Sequence, residues 1–164
     1  MKYLFLRRVL TLALCACLAV TLLTVLSPAR SIHAATTNTA ACSNLNMFRG
    51  KTWYPGNYVT WHTCKGTSLK LIYQNDGNFV LYIGGHAKWA SNTSSKFSLP
   101  DYVQFQSDGN LVVYGVDYLL NFFVAWASNT NGKSATRLSL QDDGNLVIYT
   151  AAGKVLWASH TSGY

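Results

Sequence analysis

One nine-residue pattern occurs three times in this chain of 164 residues. Gln74-Asn75-Asp76-Gly77-Asn78-Phe79-Val80-Leu81-Tyr82 returns as Gln106-Ser107-Asp108-Gly109-Asn110-Leu111-Val112-Val113-Tyr114, and again as Gln141-Asp142-Asp143-Gly144-Asn145-Leu146-Val147-Ile148-Tyr149. The copies lie 32 and 35 residues apart. A second motif trails each copy: Trp89-Ala90-Ser91-Asn92-Thr93, Trp126-Ala127-Ser128-Asn129-Thr130 and Trp157-Ala158-Ser159-His160-Thr161. Two motifs recurring in a fixed order define an internal repeat, with units around 66–93, 100–130 and 135–161. Such units cannot bury their apolar faces alone and share one core.

Each unit reads as β structure. Apolar and polar residues alternate on both sides of Asp-Gly, a strong hairpin signal. Turn length decides which side chains share a face, because a slip of one residue flips them all. A two-residue turn would put Gln141 and Asn145 on opposite faces. A three-residue loop, Asp142-Asp143-Gly144 with the glycine left-handed, pairs them and gathers Leu138, Leu140, Leu146 and Ile148 on one face. The same rule gathers Leu69, Leu71, Tyr73, Phe79 and Leu81 in the first copy, and Val103, Phe105, Leu111 and Val113 in the second. The three-residue loop is therefore expected.

The opposite face carries Gln, Asn, Val and Tyr, with Asp at the loop tip. Stability alone requires the glycine and the apolar face. It does not require Gln, Asp, Asn and Tyr to recur in one outward row while the residue between drifts through Asn75, Ser107 and Asp142. The row suits a sugar. Asp only accepts hydrogen bonds, Asn and Gln do both, Tyr adds a phenol, and Val offers an apolar contact for ring carbons. No basic residue recurs with the motif, and one Asp per copy is too few hard ligands for Ca²⁺. Binding is expected to need no cofactor and no metal. Trp89, Trp126 and Trp157 are expected to pack the centre of the molecule rather than to stack on sugar.

Charge first suggests nucleic acid or an anionic surface, at +7 from 13 basic residues and six acids. Lys2, Arg7, Arg8 and Arg30, however, flank an uncharged apolar run, 9–26, which is followed by a segment, 27–34, that ends in the small residue Ala34. That is the form of a secretory signal peptide, residues 1–34, cut near Ala34. The mature domain, 35–164, then keeps nine basic residues against six Asp, a net +3 with no stripe to follow a phosphate backbone, so no nucleic acid is expected. A secreted, extracellular protein is expected. The alternative is a membrane anchor left uncleaved, since 18 apolar residues just span a bilayer. Cys42 and Cys64 are the pair left in the mature chain, and an oxidising compartment implies one disulfide. With no Glu anywhere, and with His62, His86 and His160 not recurring from one repeat to the next, no enzymatic constellation appears.

The triple Q-x-D-x-N-x-V-x-Y, each copy followed by a W-A-S-N-T-like segment, resembles the bulb-type (snowdrop-like) mannose-binding lectins, also called B-type lectins. The likeness covers roughly 44–164. It implies an all-β fold, a β-prism of type II with three four-stranded antiparallel sheets around a pseudo-threefold axis, and a mannose site on each sheet. Asp76, Asp108 and Asp143 with Asn78, Asn110 and Asn145 should contact the axial 2-hydroxyl. Gln74, Gln106 and Gln141 should reach the 3-hydroxyl and Tyr82, Tyr114 and Tyr149 the 4-hydroxyl, with Val80, Val112 and Val147 against the ring carbons. The expected partners are mannose-containing glycans or cell-surface polysaccharide.

Two departures stand out. Plant members keep a cysteine where this chain has Gly77, so Cys42 and Cys64 should pair differently, tying the first strands together. The second unit also carries an insertion, 115–125, either an interface or a longer hairpin. Relatives dimerise by exchanging a C-terminal strand, and 154–164 is the stretch that could form such a homodimer here. The single prism and altered disulfide lean towards a bacterial secreted member. The alternative function is a lectin-like bacteriocin, an antimicrobial protein binding bacterial surface polysaccharide.

Overall fold

The computed structural model describes residues 43–164. The leader, its cut near Ala34, the alternative anchor and Cys42 all lie outside the described residues. Twelve strands follow in order: β1 (Leu45–Phe48), β2 (Thr52–Trp53), β3 (Tyr58–His62), β4 (Ser68–Tyr73), β5 (Phe79–Ile83), β6 (His86–Ala90), β7 (Leu99–Phe105), β8 (Leu111–Val116), β9 (Phe122–Ala127), β10 (Ala135–Leu140), β11 (Leu146–Thr150) and β12 (Val155–Ala158). They form three four-stranded antiparallel sheets, ordered β3-β4-β5-β6, β2-β7-β8-β9 and β1-β10-β11-β12. This is the β-prism II architecture.

Each repeat supplies three consecutive strands of one sheet. The fourth strand of every sheet comes from 45–62, which hands β1 to the third repeat, β2 to the second and β3 to the first. The C-terminal stretch expected to be available for exchange gives β12 to its own sheet, where it pairs with β11.

The hairpins close as the sequence requires. Tyr73 faces Phe79, Phe105 faces Leu111 and Leu140 faces Leu146. Just beyond, Gln74, Gln106 and Gln141 donate their N–H groups to the carbonyls of Asn78, Asn110 and Asn145 at 2.8–2.9 Å, enclosing three-residue loops. Gly77, Gly109 and Gly144 sit in these loops at φ +83°, +87° and +85°. Every residue assigned to the apolar faces of the three hairpins is completely buried. Met47 and Trp53, brought in by β1 and β2, complete the core.

Trp89, Trp126 and Trp157 meet one another edge to face, with ring centroids 5.3, 5.3 and 5.5 Å apart. The near-equal spacing marks the pseudo-threefold axis, and the trio packs against the core as expected. A bulge recurs just before each tryptophan. It skips Lys88, Ala125 or Leu156, so that the strand presents Trp inward again after facing the row tyrosine with Ala87, Val124 or Val155.

The insertion is a longer hairpin. β8 and β9 extend past the row to a loop over 117–121, closed by an Asp117 N–H to Asn121 carbonyl bond of 3.0 Å. Its tip exposes Tyr118 (88%), Leu119 (81%) and Leu120 (72%), and Leu120 adopts φ +63°.

Candidate functional site

The outward row is built identically on all three sheets. In each copy the Gln, Asn and Tyr are half-buried and the Asp is exposed at the loop tip. The structure therefore brings together, sheet by sheet, the fifteen residues singled out from the sequence. Gln74 Nε2 donates to Tyr82 Oη at 3.0 Å, Gln106 Nε2 to Tyr114 Oη at 2.8 Å and Gln141 Nε2 to Tyr149 Oη at 3.1 Å. These bonds hold the far end of the row in one geometry and leave the phenol proton and Gln Oε1 for another partner.

At the near end the carboxylate folds back on its own loop. Asp76 Oδ1 accepts from the Asn78 N–H at 3.0 Å, and Asp108 and Asp143 accept from Asn110 and Asn145 at 2.9 Å. One oxygen of each carboxylate is thus fixed and the other remains open.

The asparagine beside it is aimed by residues not anticipated from the sequence. Asn78 Oδ1 accepts from the Thr93 N–H and the Ser91 hydroxyl, both at 3.2 Å. Asn110 is held in the same way by Thr130 (3.1 Å) and Ser128 (3.0 Å), and Asn145 by Thr161 (3.2 Å) and Ser159 (3.0 Å). A backbone N–H can only donate, so the amide oxygen is settled and the NH₂ group is left to donate to another partner. The serines also accept from the N–H of Phe79, Leu111 and Leu146 at 2.9 Å. The threonine hydroxyls donate to the carbonyls of Gly77, Gly109 and Gly144, locking the loop to the trailing motif. Recurrence of Ser and Thr around a drifting residue was the available signal. That residue, Asn92, Asn129 or His160, lies at φ +55° to +58°, a conformation these two types enter more readily than most.

Val80, Val112 and Val147 do lie on the outward face, but each is only 2% exposed. Neighbours on the flanking strands, Ile72 and Ala90 for Val80, close over them. They form a floor beneath the row.

The residue that drifts through Asn75, Ser107 and Asp142 meets a different part of the preceding chain on the second and third sheets. Arg49 donates to the Ser107 carbonyl at 3.0 Å. Asp142 Oδ1 accepts from the Cys64 N–H at 2.6 Å, and the Asp142 N–H donates to Asn44 at 3.1 Å. Cys64 is disulfide-bonded.

The sheets differ at the position four residues before the row's Gln. It is Lys70 on the first sheet, Tyr102 on the second and Arg137 on the third. Lys70 faces Tyr82 across the strands, with its ammonium 4.6 Å above the Tyr58 ring. Arg137 faces Tyr149 and lays its guanidinium 4.5 Å above that ring. Tyr102 lies 5.0 Å from Tyr114 and 6.5 Å from Tyr54. Burial first, and then the neighbouring Tyr114, Asp101 and Tyr54, push the Tyr102 phenol above its ordinary pKa. A concavity of about 310 Å³ adjoins the first row, lined by Ser68, Lys70, Ile72, Gln74, Tyr82 and Gly85.

Chemically, each sheet offers a fixed amide donor beside an open carboxylate acceptor, and a bonded Gln–Tyr pair further along. No family model matches the chain. Over 58 residues it is 45% identical to the B-type lectin plumieribetin of Scorpaena plumieri, a match covering 35% of this chain but only 46% of that protein. Over 96 residues it is 40% identical to a mannose-specific lectin of Aloe arborescens, covering 56% of this chain and 79% of the relative. Among solved structures, a monomeric monocot mannose-binding lectin from Gastrodia elata superposes with a TM-score of 0.59 at 36% identity, over 73% of this chain and 99% of the other. The snowdrop (Galanthus nivalis) mannose-specific agglutinin, solved with methyl-α-D-mannoside, superposes with a TM-score of 0.52 at 32% identity, over 66% and 91%.

Proposed function

The chain belongs to the bulb-type mannose-binding lectin family, and from that premise we propose that it is a secreted, non-enzymatic lectin for terminal α-mannose, with up to three metal-independent sites. The observation that carries the reading is the donor–acceptor pair at the loop tip. An axial hydroxyl is at once donor and acceptor, and the open Asp oxygen and the Asn NH₂ supply both complements with the amide already aimed. The bonded Gln–Tyr pair then meets equatorial hydroxyls further round the ring.

The sites are open and shallow, so one monosaccharide should bind near millimolar, about −4 kcal/mol. Useful avidity then comes from several sites engaging one glycan surface. In this reading the leader is removed near Ala34 and Cys64 pairs with Cys42. Titration calorimetry with methyl α-mannoside, in Ca²⁺ and in chelator, is the direct test. Equal millimolar binding in both is expected, and Asp143→Ala with Asn145→Ala should remove one site and leave the others. Absence of binding in both solutions would overturn the reading.

A further inference from the structure

The row is invariant, but the strand that borders it is not. On the first sheet Lys70 shares the 310 Å³ concavity with Gln74 and Tyr82, the far end of the row. Among the described residues its side chain meets the face of the Tyr58 ring, and no carboxylate neutralises it. On the third sheet the Arg137 guanidinium lies over the ring of Tyr149, again without a carboxylate among the described residues. On the second sheet the same position is the aromatic Tyr102, next in sequence to Asp101 and stacked towards Tyr114. A cation held by an aromatic face keeps its position while its charge remains available to a ligand.

We propose that the first and third sites continue past the bound mannose into anion subsites, with Lys70 and Arg137 as the charged contacts. These two sites take a mannosyl glycan whose next unit carries a phosphate or a carboxylate. The second takes a neutral neighbour against Tyr102. The proposal rests on the mannose reading of the row. It divides three copies of one motif into two specificities, so the protein prefers acidic mannoglycans at two sites of three.

The test compares α-mannobiose with two relatives of it, one phosphorylated and one oxidised to a uronate on the second residue, by calorimetry on the full chain. At low salt the charged probes should bind about fivefold more tightly at two of three sites, as expected for a partly exposed charge pair. Molar salt should erase the advantage. Lys70→Gln together with Arg137→Gln should bring the ratio of charged to neutral affinity to about one. A preference for only one of the charged probes supports the proposal and identifies the anion as phosphate or carboxylate. Binding of mannobiose with no gain for either charged probe at low salt overturns the proposal and leaves the mannose reading standing. Failure of mannobiose to bind overturns both. The salt dependence is read on the unaltered protein, so it decides the matter even if the double variant does not fold.

Discussion

Two kinds of three-residue loop close hairpins in this protein, and they solve the same backbone problem differently. The row loops place Gly77, Gly109 and Gly144 at φ near +85°, while the 117–121 loop places Leu120 at φ +63°. If backbone conformation alone demanded glycine, leucine would not appear in the second case. The difference lies in the surroundings. A Cβ on Gly109 would stand 2.7 Å from the Ala135 Cβ and 3.1 Å from the Ala135 carbonyl oxygen. On Gly77 it would meet the Phe97 ring at 2.4 Å. Leu120 projects into solvent. The row glycines are thus contact points between sheets as well as turns, whereas the leucine pays only the left-handed strain.

The sharpest way to break this comparison is Gly109→Ala. Crowding against a rigid backbone adds to the left-handed penalty, so a loss of about 3 kcal/mol in urea unfolding is expected. A loss below about 1 kcal/mol would mean that the sheets do not press on the loop. Ser128→Ala comes next. It strips a partner from the buried Leu111 N–H and from Asn110 Oδ1, and should cost about 1–2 kcal/mol. The freed amide should weaken methyl α-mannoside at the second sheet only, seen as one altered class of sites in calorimetry. Leu120→Asn tests the other side of the comparison. Relief of strain at an exposed site should raise stability by about 0.5–1 kcal/mol in thermal unfolding.

Acid should separate the loops by the smallest margin. The Asn121 N–H first, then the Asn121 side chain and the Leu119 N–H, hold the Asp117 carboxyl below its ordinary pKa. With the folded value depressed, this stabilisation is present above the ordinary carboxylate range and fades as pH falls through the folded value. Asp117→Asn should therefore flatten a slight acid-side decline in the urea midpoint. A curve identical to the unaltered protein's would refute the linkage.

Hairpins, loops and core faces were legible because each depends on local periodicity, whereas the three-sheet arrangement was implied by the family resemblance. Alternation around Asp-Gly determines which of Leu138, Ser139 and Leu140 face inward, and the match of Gln141 with Asn145 sets the loop length. Non-local matters were not legible. Nothing in 45–62 announces that its three short strands serve three different sheets in reverse order. The near-complete burial of Val80 depends on Ile72 and Ala90 across two strand pairings. The Ser and Thr that aim Asn78 come 13 and 15 residues later. Lys70, Tyr102 and Arg137 carry no signal in the sequence because they vary, and variation beside an invariant row gains meaning only when the strands are set side by side.

The path of 45–62 also governs how the prism can come into being. Leu45 waits for Leu140, and Thr52 for Gln104. A chain emerging N-terminus first carries Met47 and Trp53 as exposed apolar groups until the later repeats arrive to cover them. Contacts this distant in sequence make closure slow. A nascent chain cut short of 140 keeps β1 as an unsatisfied edge, open to pairing with whatever strand it meets. The last repeat therefore acts as the latch of the molecule, and it leaves fragments of one or two units as candidates for aggregation rather than as smaller lectins.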